Sequence, residues 1–283
     1  MSIKTRVWIV GHTGRLGSAL NSIMDREAYQ IIATDIEDVD ITNLHDVELY
    51  ADRHRPDIIV NCASKSDRKW CEENPEEAYA LHALGARNLA IAAEHIGAHI
   101  FYLSTDFVFD GLSGKPYTEF DVPNPQTVYG KSKLAGEKFV RDHCPHFTIL
   151  RSSWMYGKKV LNNLIKEARD KGRVTVHQTI VGSPTSSLEL AETVVKFIDR
   201  PEYGTFHISC EGECTQREFV YKVLELLNID AVLQDSNRPT EFEMLRPKYS
   251  VLDNMMMRLT KQEPMKHWES GLSRFISKRK IGR

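Results

Sequence analysis

Short, nearly unbroken apolar runs recur along the chain at Arg6–Val10, Ile31–Thr34, Ile58–Asn61, Ile100–Ser104 and Thr148–Arg151. Between them lie longer segments in which apolar positions return at helical spacing. Run length predicts strands for the first set and helices for the second, hence successive βαβ units. A strand with one solvated face alternates apolar and polar residues, and these runs do not. Both faces are therefore predicted to be covered by helices, which is the pattern of an α/β, Rossmann-like, doubly wound parallel sheet.

Beyond Trp154 the rhythm loosens, with Gly182, Pro184, Pro239, Pro247 and Pro264 punctuating shorter elements. The expected division is a large domain over 1–160 and a smaller C-terminal lobe over 161–186 and 210–283. An amphipathic helix near Ser187–Arg200 and a strand at Thr205–Ser209, spanning 187–209, are expected to return to the large domain.

Charge and composition narrow the function. The 283 residues carry 37 basic and 39 acidic side chains, a formal net charge of -2, so nothing calls for nucleic acid as a partner. No apolar stretch approaches the roughly 20 residues that span a bilayer, so no membrane partner is expected. Five cysteines in a chain of this size suit reduced thiols and a cytoplasmic location better than a disulfide framework. Cys210, Cys214 and the nearby His207 lack a second ligand pair, so no metal site is expected there. No carboxylate cluster speaks for or against Mg²⁺, which is left open.

Directly after the first predicted strand comes Gly11-His12-Thr13-Gly14-Arg15-Leu16-Gly17. Glycines in this setting let the backbone turn tightly and bring a pyrophosphate onto the amides of a helix N-terminus. Asp35, at the end of the second run, is placed to accept hydrogen bonds from a ribose diol. The 1–160 segment therefore reads as a dinucleotide-binding domain. Asp35 favours NADH by repelling a 2′-phosphate, whereas His12 and Arg15 can offset that charge for NADPH, so both cofactors stand.

Tyr129 and Lys133 lie one helical turn apart in Val128-Tyr129-Gly130-Lys131-Ser132-Lys133, after the breakers Pro123 and Pro125. An ammonium next to a phenol stabilises its ionised form, which suits proton delivery to a carbonyl oxygen as hydride reaches the carbon. Lys133 can also hydrogen-bond the nicotinamide ribose. A third element is the hydroxyl of Thr105 at the end of the fourth run, with Ser104 as its rival.

Four blocks, Gly11-x2-Gly14-x2-Gly17, Ser104-Thr105-Asp106-Phe107-Val108-Phe109-Asp110-Gly111, Tyr129 to Glu137, and Arg151-Ser152-Ser153-Trp154, together resemble the dTDP-4-dehydrorhamnose reductases among extended short-chain dehydrogenases. Gly182 to Thr185, Arg246 to Asp253 and Trp268 also look like that family. The resemblance implies Thr105, Tyr129 and Lys133 as the catalytic trio. It further implies Asp40 and Ile41 near the adenine and Cys62, Ala63 and Ser64 along the cofactor, with Ser66, Asp106, Phe107 and Trp154 around a nucleotide sugar. Reduction of a 4-keto-6-deoxyhexulose for surface polysaccharide is the implied activity. Another nucleotide-sugar reductase or epimerase, or a regulatory dinucleotide-binding protein similar to the methionine adenosyltransferase β subunit, shares the same motifs. A homodimer is left open. The chain departs from the family pattern at Ser66-Asp67-Arg68-Lys69, where Thr-x-Val-Asp is usual, at Phe107 for tyrosine and at His82 for asparagine.

Overall fold

The computed structural model describes residues 4–236, 246–279 and 281. Strand β1 (Thr5–Val10) leads through the glycine turn into α1 (Arg15–Ile23), followed by β2 (Tyr29–Thr34), α2 (Leu44–His54) and β3 (Ile58–Asn61). Helices α3 (Arg68–Glu73) and α4 (Pro75–Tyr79), a π-helical turn (Ala80–Leu84) and α5 (Gly85–Ile96) then lead to β4 (His99–Thr105). Next come α6 (Val128–His143), β5 (Phe147–Ser152), β6 (Met155–Tyr156), α7 (Lys158–Lys171), β7 (Arg173–Val176), β8 (Val181–Gly182) and β9 (Thr185–Ser186). The chain continues through α8 (Ser187–Asp199), β10 (Gly204–His207), β11 (Cys214–Thr215), α9 (Gln216–Leu227), β12 (Val232–Asp235), α10 (Met255–Leu259) and α11 (Trp268–Arg279).

Six strands form the main sheet in the order β2-β1-β3-β4-β5-β10, all paired in parallel. The five predicted runs are its first five strands, each beginning or ending within two residues of the predicted bounds. Strand β10 starts at Gly204 and ends at His207, two residues short of the expected end, and docks on β5 with Gly204 opposite Thr148. Because successive strand residues point to opposite faces, each run splits between two cores. Val7, Ile9, Ile58, Val60, Phe101 and Leu150 pack on one side with Leu161, Val194, Phe197, Phe219 and Leu272. Trp8, Val10, Ile59, Ile100, Tyr102 and Ile149 pack on the other with Val47, Leu89 and Val140. This double burial is why the runs lack alternation.

From β1 the chain lays β2 on one side and β3 on the other, so a crevice opens between the carboxyl ends of β1 and β3. Helix α6 is fastened to the strands beside that crevice by a buried carboxylate. Arg151 on β5 donates to both oxygens of Glu137 at 2.8 and 2.7 Å, Arg141 donates at 2.8 Å, and the Ser104 hydroxyl on β4 donates at 2.6 Å. The side chain of Glu137 is fully buried and that of Arg151 nearly so. Burial opposes ionisation of Glu137, but Arg151 and Ser104 outweigh it and hold the carboxyl below the usual range. Arg151→Met, which strands the carboxylate without its bidentate partner, is expected to lower unfolding free energy by about 3–5 kcal/mol in urea titrations. A loss below about 1 kcal/mol would show that Arg141 and Ser104 suffice.

Candidate active site

The glycine turn sits at the sheet crevice. Gly11 has φ +77°, and a Cβ there would meet Ala63 backbone atoms at 2.8 Å; at Gly17 it would meet the Gly11 carbonyl oxygen at 2.3 Å. The Gly11 and His12 amides both donate to the Thr34 carbonyl, tying the turn to β2. Thr13 donates to Asp35 through both its amide and its hydroxyl. Burial works against the charge on Asp35, yet these bonds, the Ile36 amide and nearby His12 keep its carboxyl below the usual range.

A cavity of about 460 Å³ extends from this turn, lined by Gly14, Arg15, Leu16, Cys62, Ser64, Ser66, Thr105, Asp106, Phe107, Tyr129, Lys133 and Trp154 among others. Most residues expected at the site are thus brought together. Gly11, His12, Thr13, Gly17, Asp35 and Ala63 shape the turn behind it. Asp40 and Ile41 lie outside its lining. The Asp40 carboxylate accepts from the Thr42 amide and hydroxyl at 2.9 and 2.7 Å, while Ile41 is packed into the core.

Tyr129 stands in the first turn of α6, whose N-cap, Thr127, accepts from the Gly130 amide at 3.0 Å. Lys133 follows one turn later, 2% exposed, with Nζ 4.1 Å from the centroid of the Tyr102 ring. Burial pushes Lys133 down to about 7, against the charges of Glu137 and Cys62, which raise it. Burial also raises Tyr129, while hydroxyls of Thr105 and Ser64 pull it back and the Asp106 charge adds to the rise. The net effect favours the protonated phenol. Ser104, the rival hydroxyl, is spent on Glu137. Thr105 caps a short 3-10 turn (Asp106–Val108) by accepting from the Phe107 amide and donates to Asp106 Oδ1 at 3.0 Å.

The far end of the cavity holds residues that motif spacing did not single out. Arg68 and Arg246 reach it, as do Met155, Tyr156, His177, Gln216 and Phe219 from the later segments. Arg15 donates to Ser66 Oγ at 2.6 Å and to the Met155 carbonyl at 3.2 Å. Trp154 adopts φ +40°, and its indole packs so closely on Gly182 that a Cβ there would lie 2.4 Å from the ring. The departure at Ser66–Lys69 was the signal for Arg68; chain position alone gave none for Gln216 or Phe219. Among the described residues no group of three or more His, Cys, Asp or Glu gathers at metal distance, and no helix is long and apolar enough to cross a membrane.

His82, in the π-helical turn, is a buried crosslink. Its Nε2 accepts from the Lys65 amide at 3.1 Å, and its Nδ1 lies 2.8 Å from Ser132 Oγ, which donates to the Tyr129 carbonyl at 3.0 Å. An acceptor role for Nε2 puts the proton on Nδ1. The imidazole also meets the Tyr129 ring edge-on, with centroids 5.5 Å apart.

The chain matches the RmlD substrate binding domain over residues 5–281. It is 32% identical to the spore coat polysaccharide biosynthesis protein SpsK of Bacillus subtilis, over 97% of this chain and 98% of that protein. A crystal structure of a dTDP-4-dehydrorhamnose reductase from Clostridium acetobutylicum is 37% identical, with a TM-score of 0.92 over 98% of this chain and 100% of the other. The dTDP-4-dehydrorhamnose reductase of Bacillus anthracis, solved in complex with NADP, is 35% identical, with a TM-score of 0.93 over 98% and 100% of the two chains.

Burial, with the Lys133 charge adding to it, pushes His82 down to about 3. The unfolded imidazole titrates near about 6.5, so below that pH the unfolded chain takes up a proton that the folded chain refuses. Stability should therefore fall as pH drops from about 6.5 toward 3, with about 2 kcal/mol of the loss between pH 7 and 5 due to His82. Urea unfolding of native protein and His82→Gln across that range checks this: the variant should show the shallower decline, and equal slopes would clear His82 of the effect.

Proposed function

Since the chain belongs to the RmlD substrate binding domain family, we propose that it reduces the 4-keto group of a nucleotide-linked 6-deoxyhexulose, converting dTDP-4-dehydro-L-rhamnose to dTDP-L-rhamnose with NAD(P)H. The observation that carries this is the convergence of Thr105, Tyr129 and Lys133 on one cavity at the sheet crevice. The product would feed a surface polysaccharide, in line with the named role of the Bacillus subtilis relative.

The residues fit a dinucleotide. Gly11 and Gly17 leave the space that a Cβ would fill, the amides opening α1 face the crevice end of β1, and Asp35 closes β2. Gly14, Arg15, Leu16, Cys62, Ser64 and Lys133 would hold it. When bound, the nicotinamide supplies the hydride that reaches the keto carbon. Tyr129 gives its proton to the carbonyl oxygen, and burial helps by keeping that proton in place until charge develops there. The Thr105 hydroxyl turns from Asp106 to the same oxygen and stabilises it. Lys133, in its charged form, balances the phenolate left on Tyr129. Residues 1–160 with 187–209 are assigned the cofactor, and 161–186 with 210–283 the substrate. The presence of both Gly14 and Gln216 in one cavity lining supports this division.

Oxidation of NADPH and NADH is to be followed at matched concentrations with enzymatically generated dTDP-4-dehydro-L-rhamnose. Tyr129→Phe should cost about 10²–10⁴-fold in kcat with little change in KM. Native protein that turns over no nucleotide keto-sugar would defeat the reading, and a preference for another sugar nucleotide would redirect it.

A further inference from the structure

On the face of α6 turned away from Tyr129 and Lys133, the residues Lys131, Leu134, Ala135 and Lys138 recur at helical spacing and line a second cavity, of about 660 Å³. It shares no lining residue with the cavity beside Tyr129. Small-molecule sites span about 300–1,000 Å³, so its size suits one. The segment 119–125 forms the other wall, where Phe120 and Val122 stand 68% and 85% exposed. Arg151 on β5 also lines the cavity and is 2% exposed. Its Nε and Nη2 are spent on Glu137, but its buried Nη1 has no acceptor among the described residues. A buried donor on a charged group is destabilising until an acceptor reaches it.

The two carboxylates of the lining do not answer that donor. Asp121 accepts from the Thr118 amide and hydroxyl at 2.7 and 2.9 Å. Glu119 Oε1 accepts from the His207 and Met256 amides at 2.9 and 3.2 Å, while its Oε2 is buried without a partner. Burial raises the Glu119 carboxyl, which favours the protonated form, a donor to an incoming anion rather than a repelling charge. Against these two stand four cations, Lys131, Lys138, Arg141 and Arg151.

We propose that this cavity is a second ligand site, for a small carboxylate with an apolar body. The carboxylate sits on Arg151 Nη1, Lys131 and Lys138 add attraction from the exposed surface of α6, and the body lies between Val122 and the Leu134–Ala135 face. The proposal does not rest on the reductase reading.

Fluorine NMR titration of 4-fluorophenylacetate in saturating NADPH tests it, with 2-(4-fluorophenyl)ethanol as the uncharged counterpart. Native protein should bind the acid at least about 10-fold more tightly than the alcohol, and added salt should weaken the acid alone. Ala135→Trp, which fills the cavity from α6, should weaken the acid at least about 10-fold, and Val122→Glu about 3- to 10-fold. Unchanged NADPH affinity shows that Ala135→Trp folds; should it not, Val122→Glu decides, since that side chain is 85% exposed. Absence of acid binding, equal affinity for acid and alcohol, or acid binding unchanged in both variants overturns the site. A native dimer that Val122→Glu dissociates in sedimentation, with no acid bound by either form, would give this face to a second copy and overturn it as well. Turnover is not read, so failure of the reductase reading would leave the result standing.

Discussion

Two helical turns behind Tyr129, the carboxylate of Glu137 has left water entirely, and everything at the site depends on how it is repaid. Arg151 and Ser104 reach it from adjacent strands and Arg141 from its own helix. Residues 129, 133 and 137 share one face of α6, so the fastening that holds Glu137 against β4 and β5 also fixes the depth and rotation of the phenol and the ammonium. The same negative charge raises Lys133 against the burial that lowers it. Glu137 thus holds the helix that carries both residues and favours the charged form of Lys133.

A second contact on α6 is made by His82. His82 links the loop after β3 to the backbone of Tyr129 through Ser132. Neutral histidine suits this post because it accepts on one nitrogen and donates from the other without bringing a charge into a space already occupied by Lys133. The helix therefore carries an ionic contact with the sheet and a neutral one with the loop after β3.

Much of this was legible in the chain. Val7 to Val10 and Ile58 to Val60 announced strands with two buried faces, and Gly11, Gly14 and Gly17 announced a turn at the crevice, where Gly11 and Gly17 leave no room for a Cβ. Tyr129 and Lys133 were readable as a pair on one helix face, and it was their combination with the glycine turn and Thr105 that gave them weight. Glu137 was not, since a carboxylate four residues after a lysine reads as a solvated helix pair until the strands that bury it are known. Arg246 and Gln216 come from segments far away in sequence, and only tertiary packing carries them to Tyr129. Asp40, which the resemblance puts near the adenine, has its carboxylate engaged in a local turn with Thr42, a contact that the sequence did not announce.

The contact between Trp154 and Gly182 has a consequence for inheritance. The indole occupies the volume that any side chain at position 182 would need, and it is held there by a backbone conformation that residues other than glycine seldom adopt. A side chain gained at position 182 would displace the indole from the cavity wall. Within descendants of this chain, a change at 182 should therefore appear only alongside, or after, a smaller residue at 154.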